Sequence, residues 1–198
     1  MQKIKVTSKE ELRKIIEESP IDADLNHLDV SAITDMSGLF IGTLFSGDIS
    51  CWDVSNVKNM AWTFADSRFN GDISKWNVSQ VENMAFTFCD SWFNGDISCW
   101  KVNSVKIMTG MFKNSKFNNN ISNWNISNVK YLNEMFAHSQ FNQDISQWDV
   151  SGVEDMSYLF YRTAFSYDLS KWRVNPKAKM IAVFRDSRVT KLPPWYLG

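Results

Sequence analysis

The chain is 198 residues long, with a formal net charge of −1 and a sequence pI near 6.1. That balance encodes no bulk attraction to nucleic acid or to anionic membrane. Hydrophobic residues make up 44% and aromatic residues 14% of the chain, enough for a sizeable core. Apolar residues nonetheless never run the roughly 18 in a row that a membrane-spanning helix needs.

The first twenty residues are charged throughout and lack an apolar segment of the signal-peptide kind. As written, this points to the cytoplasm; a surface or secreted protein is expected if the sequence is a fragment or takes a non-classical export route. Lys3 to Thr7 reads as a short strand. Ser8 and Glu11 have capping-box spacing at the start of a helix, Leu12, Ile15 and Ile16 give it one apolar stripe, and Pro20 ends it. Residues 1–24 are expected to form an N-terminal cap.

The chain beyond this cap is periodic. Tryptophans fall at 52, 76, 100, 124, 148 and 172, each interval 24 residues, and the unit reads WDVSNVKNMAWTFADSRFNGDISKW from Trp52 to Trp76. A period of this size is the signature of a solenoid, in which no copy buries its apolar face alone and the core exists only as a stack. Seven copies are expected over 25–187, the first of them degenerate. Ile49, Trp52, Val54, Val57, Met60, Phe64 and Phe69 head seven apolar columns. Trp52 and Val54, at period 2, predict a strand. Val57, Met60 and Phe64 predict one face of a short helix, with Ser55 and its equivalents Ser79, Ser127 and Ser151 placed to cap it. Phe69-Asn70-Gly71-Asp72 predicts the return turn. The expected fold is therefore an α/β repeat solenoid of strand–short-helix coils with one parallel sheet. In the last copy Pro176 and Lys177 break the pattern, and Trp195, Tyr196 and Leu197 are expected to close the open end as a C-terminal cap over 188–198. The whole is one domain.

Three cysteines, an odd number, do not suggest a disulfide framework. Cys51 and Cys99 share a column two copies apart, a separation of roughly 10 Å if copies stack at strand spacing, too far for a disulfide. All three are expected to be free thiols. The Asp column (Asp48, Asp72, Asp96, Asp144, Asp168, with Asn120 interposed) and the serine column two residues on read as turn satisfaction rather than as calcium ligands or nucleophiles. No metal or cofactor is expected.

The positions that change from copy to copy are those on either side of the Trp column. If Ile, Trp and Val point inward, these face solvent on the sheet. Rung by rung they are His27 and Asp29, Cys51 and Asp53, Lys75 and Asn77, Cys99 and Lys101, Asn123 and Asn125, Gln147 and Asp149, and Lys171 and Arg173. Rigid arrays bind partners on such surfaces. The face lacks the Lys/Arg runs and interleaved aromatics of a nucleic-acid binder. His27 and Cys51, with Asp29 and Asp53 beside them and Lys75 beyond, superficially form a Cys-His-Asp set, but a flat face offers neither an oxyanion hole nor exclusion of water. The off-column aromatics Trp62, Trp92, Tyr131, Tyr158, Tyr161 and Tyr167 read equally as interface anchors or as packing between copies.

The phrase W-D-V-S-N-V-x-x-M-x-x-x-F-x-x-S-x-F-N-x-D-I-S-x-W resembles the repeat of BspA-like leucine-rich-repeat surface proteins, also seen in mycoplasma lipoprotein-associated proteins of unassigned function. The likeness spans about Asp24 to Ser187. It implies a right-handed strand-and-helix solenoid and a role in adhesion or protein binding at a bacterial surface. One departure is that Val stands where the leucine-rich-repeat core has Asn, while Asn recurs at 70, 94, 118 and 142, so the backbone-satisfying asparagines are expected at another corner. The function expected is non-enzymatic binding of a protein or other macromolecule by a monomer, with no membrane span and no nucleic acid. A cytosolic effector-like or inhibitor-like interaction protein is the alternative, and a Cys-dependent enzyme the distant one.

Overall fold

The structure, a computed structural model, describes residues 3–197. Among the described residues, regular secondary structure is confined to the N-terminus: β1 (Ile4–Lys5), α1 (Lys9–Glu18) and β2 (Leu28–Asp29). Ser8 Oγ accepts the Glu11 N–H at 3.1 Å, as a cap should, while the Glu11 carboxylate reaches back one residue further than a capping box requires, to the Thr7 N–H at 3.0 Å. Leu12 and Ile16 turn into the core. The C-terminal carbonyls are met by Ser19, whose N–H bonds to Ile16 and whose hydroxyl donates to the Ile15 oxygen at 2.7 Å, before Pro20 ends the run. β1 lies parallel to β2 with Ile4 opposite Leu28, so the N-terminal segment joins the edge of the first copy.

From there the copies stack on one another 24 residues apart. Isolated parallel bridges join Asp35 to Asn59, Asn59 to Asn83, Asn83 to Ile107, Ile107 to Tyr131, Tyr131 to Asp155 and Asp155 to Lys179. The apolar columns become continuous: Phe64 stacks on Phe88 with centroids 5.5 Å apart, Phe88 on Phe112 at 5.7 Å, and Phe69 on Phe93 at 6.4 Å. All of these phenylalanines are fully buried. Each indole of the Trp column donates to a carbonyl of the preceding copy, Trp76 to Ile49 at 3.1 Å, Trp100 to Ile73 at 3.0 Å and Trp124 to Ile97 at 3.1 Å. A buried indole N–H needs a partner, and here that need ties copy to copy. At the far end Trp195 repeats the device, stacking 5.9 Å from Trp172 and donating to the Leu169 oxygen at 2.8 Å.

Two expectations fail in detail. The short helix predicted over Val57, Met60 and Phe64 is absent; a run of β-turns stands in its place. Thr63 N–H bonds to Met60 and Ala65 N–H to Trp62, whereas the alternate donors Met60, Trp62, Phe64 and Asp66 bond to the carbonyls of Asn83, Ala85, Thr87 and Cys89 in the next copy. The i, i+3, i+7 spacing that suggested a helix is equally satisfied by turns that repeat at three residues. The geometry requires a left-handed residue twice per copy: Trp62 and Asp66 (φ 61° and 51°), Phe86 and Asp90, Glu134 and His138, Tyr158 and Arg162. A positive φ at the third turn residue is the type II pattern. Gly38, Gly42 and Gly110 occupy the same two columns, and there, among the described residues, glycine meets the demand without steric cost.

The predicted parallel sheet does not run through the Trp column either. Beyond β2, among the described residues, no backbone hydrogen bond links Ile73–Val78 or its later equivalents to a neighbouring copy. The inward-outward alternation survives, with Trp52 and Val54 buried and Cys51 and Asp53 exposed. On this side the copies are joined by indole N–H bonds and by packing. The backbone cross-links sit on the opposite side, over residues 58–66 and their equivalents.

Candidate functional site

The face flanking the Trp column is built on turns. Asp53 Oδ1 accepts the Ser55 N–H at 3.0 Å, Asn77 the Ser79 N–H at 3.2 Å, Asn125 the Ser127 N–H at 3.1 Å and Asp149 the Ser151 N–H at 3.0 Å. Asp29 accepts both the N–H and the hydroxyl of Ser31. These are Asx turns. The serines expected to cap helices are instead the third residue of these turns, and five of the fourteen candidate binding residues are thereby committed to backbone geometry. The hydrogen bond from the serine, first through its side chain and then its backbone, holds the carboxyls of Asp29, Asp53 and Asp149 below the usual carboxylate range. Lys101 and Arg173 depart from the Asx pattern, and with the outer column they leave Lys75, Cys99, Gln147 and Lys171 as exposed side chains without that duty.

These free positions open into two grooves. The larger, of about 700 Å³, is lined by Lys75, Asn77, Asp96, Cys99 and Lys101 over the edge of Trp76. A smaller one of about 380 Å³ lies between Gln147, Asp149, Lys171 and Arg173. Asn123 and Asn125 are exposed between the two. A third groove, of about 510 Å³ and lined by Glu82, Ser104, Lys106 and Lys130, lies round the corner. The sequence reading missed it. Its signal was the column Lys58, Glu82, Lys106, Lys130, Glu154, in which opposite charges fall 24 residues apart and pair, Lys106 with Glu82 at 2.6 Å and Lys130 with Glu154 at 3.6 Å.

The Cys-His-Asp constellation is not assembled. The His27 Nδ1 lies 3.1 Å from the Asp24 carbonyl oxygen, and Cys51 Sγ has its nearest polar partner in Ser50 Oγ at 3.8 Å. Asp29 and Asp53 are engaged in their own turns. Cys99 is exposed like Cys51, whereas Cys89 is buried. Burial, and then the bond from its sulfur to the Asp90 carboxylate at 2.9 Å, push the Cys89 thiol up to about 12, so it is protonated and inert.

The recurring polar columns serve the backbone. Asp48, Asp72, Asp96, Asp144 and Asp168 accept the N–H of the serine two residues on, at 2.8–2.9 Å, and the neutral Asn120 does the same for Ser122. Asn70 accepts the Asn94 N–H, Asn94 that of Asn118, and Asn118 that of Asn142, each at 2.8 Å, an asparagine ladder at the corner where the sequence put it. Among the described residues no three His, Cys, Asp or Glu side chains converge as a metal-binding group. The off-column aromatics divide: Trp62 stacks on Phe86 at 4.2 Å yet stays 41% exposed, Trp92 lies under the Arg68 guanidinium at 5.6 Å, and Tyr161 packs against His138, Tyr158 and Arg162. Tyr131, Tyr158 and Tyr167 remain exposed. No helix among the described residues is long and apolar enough to cross a membrane.

No curated protein and no solved structure matches the chain. One family does, described as "Mycoplasma protein of unknown function, DUF285", and it matches twice, over residues 10–116 and 86–193, as tandem copies of one unit would. The chain belongs to that repeat family.

Proposed function

We propose that the stacked copies form a solenoid whose role is non-enzymatic binding of a protein or other macromolecule, and that the face flanking the Trp column is its working surface. The observation that carries this reading is the groove at Lys75, Cys99 and Lys101. There Lys101 stands in place of an Asx residue, two exposed cations line the wall, and about 700 Å³ of concave space opens, the larger of the two grooves on this face. The unchanging columns are consumed by core and turns, so specificity resides in the side chains that vary. The likeness to surface repeat proteins supports adhesion at a bacterial surface as the setting for that binding.

The test is affinity capture with the wild type, with Lys75→Glu/Lys101→Glu, and with wild type carrying a bulky maleimide adduct on Cys99 in a Cys51→Ser background. Asp29 and Asp53 are left alone, because reversing them would break turns. Loss of the captured partner in both altered proteins, with unchanged melting, is expected. Equal recovery from all three would remove this face from consideration.

A further inference from the structure

Along residues 60–66 and their equivalents the cross-linking donors all point one way, whereas the flanking donors Lys58 and Arg68 bond back to the preceding copy. Met60, Trp62, Phe64 and Asp66 bond forward to the next copy, and the pattern recurs through Met156, Tyr158, Phe160 and Arg162, which bond to the carbonyls of Lys179, Ile181, Val183 and Arg185. Peptide dipoles in these columns therefore add along the stack, as they do along a helix. Lys9 of α1 sits at the negative end, its ammonium donating to the Ser37 carbonyl at 3.2 Å and to the Asp35 carboxylate at 2.9 Å. The positive end is the last copy. There the N–H groups of Met180, Ala182, Phe184 and Asp186 hold the donor positions, and among the described residues none has an acceptor.

The surroundings of this row suit a negative partner. Ala182 and Asp186 have φ of 51° and 57°, the alternation of hand that gathers successive N–H groups into an anion-binding concavity. Lys177, Lys179, Arg185 and Arg188 are exposed on the same copy, and its one nearby acid, Asp186, is held by Arg162 at 3.3 Å. A cavity of about 270 Å³ lined by Pro176, Met180, Trp195, Tyr196 and Leu197 opens beside the Met180 end of the row.

We infer that this end of the array docks an acidic peptide segment of a partner protein, whose side-chain carboxylates take the places that carbonyl oxygens hold between copies. A β-strand edge presents N–H and C=O in alternation and would set donor against donor here. A second copy of this chain would have to offer its own carbonyl edge at residues 35–41, where Lys9 is already seated. Carboxylates fit a donor-only row in both respects, and an apolar side chain of the same peptide fits the cavity between Pro176 and Tyr196.

The test is amide NMR of the full chain titrated with a capped peptide of sequence Glu-Leu-Glu-Glu-Leu-Glu. Downfield movement of the Met180, Ala182, Phe184 and Asp186 amide protons is expected, together with a shift of the Trp195 indole and no movement of the internally bonded amides of Met156, Tyr158 and Phe160. The Lys179→Glu/Arg185→Glu variant, folded by the same internal amides, is expected to bind at least tenfold more weakly. The inference is overturned if the Gln-for-Glu peptide or inorganic phosphate moves the four amides equally at the same concentration. It is also overturned if the amides do not move, or if the row is lost instead to head-to-tail association of the chain.

Discussion

Trp124→Phe isolates what one indole N–H contributes to the coupling of adjacent copies. Trp124 is 3% exposed and donates to the Ile97 oxygen of the preceding copy at 3.1 Å. Phenylalanine keeps a six-membered ring in the slot but removes that bond; the Ile97 oxygen still accepts the Trp100 N–H at 3.1 Å, so the loss is that of one net hydrogen bond, about 0.5–1.5 kcal/mol. The missing pyrrole leaves a void of about 40 Å³ at most, worth about 1 kcal/mol more. The expected loss is thus about 1.5–2.5 kcal/mol in urea unfolding. Hydrogen exchange should quicken first at Met108, Gly110, Phe112 and Asn114, whose N–H groups cross the same junction. Trp195→Phe is the control, because its indole makes the equivalent bond at the half-buried end, where water can replace it. A loss below about 0.5 kcal/mol for Trp124→Phe, or one no larger than that of Trp195→Phe, would refute the argument that the indole bond couples the copies.

Gly110→Ala should destabilise by about 2 kcal/mol, because φ is 57° there and the new Cβ would meet Phe86 Cε1 at 2.3 Å. Adding Phe86→Ala should recover part of the melting temperature by removing the clash, and no recovery would show that φ alone governs the site. The carboxyls of Asp96, Asp144 and Asp168 are held low chiefly by the backbone N–H of the following serine. A folded-state value below the unfolded one gives stability that is full above the ordinary aspartate range and is lost as pH falls from about 4 through the lowered values. Melting temperature should therefore hold from neutral pH to about 5 and decline below 4, less steeply in Asp96→Asn; a flat profile down to pH 3 would contradict this. Maleimide should label Cys51 and Cys99 quickly at neutral pH and reach Cys89 only in denaturant, and fast labelling of Cys89 in the native protein would mean that its copy opens locally.

The period, the seven buried columns and the α1 cap residues were legible because each is a matter of which side chains leave water. The asparagine ladder was legible because an amide recurring at a corner has an evident backbone use. The turn run was not. Period-3 apolar spacing is shared by a helix and by successive turns, and the residues that choose between them, Trp62, Phe86, Glu134 and Tyr158, have no left-handed preference of their own. Only Gly38, Gly42 and Gly110, with Asp and Asn in the second column, carried a hint. For the flanking face, exposure was readable but the Asx duty of Asp53, Asn77, Asn125 and Asp149 was not, although serine two residues on was its marker. The charges facing each other across copies at Glu82 and Lys106 lay in a column that the tryptophan register does not single out.

The alternation of donors along residues 60–66 also restricts how such a protein can change in length. Met60, Trp62, Phe64 and Asp66 each need a carbonyl from 23 residues further on, so inserting one residue between those segments would displace all four pairings together. Removing or duplicating a whole 24-residue cassette leaves every pairing, ring stack and indole bond with an equivalent partner. Internal single-residue change is therefore penalised, while change by entire units is nearly free. The number of copies becomes an inheritable dial that sets the span of the face flanking the Trp column without redesigning any one of them.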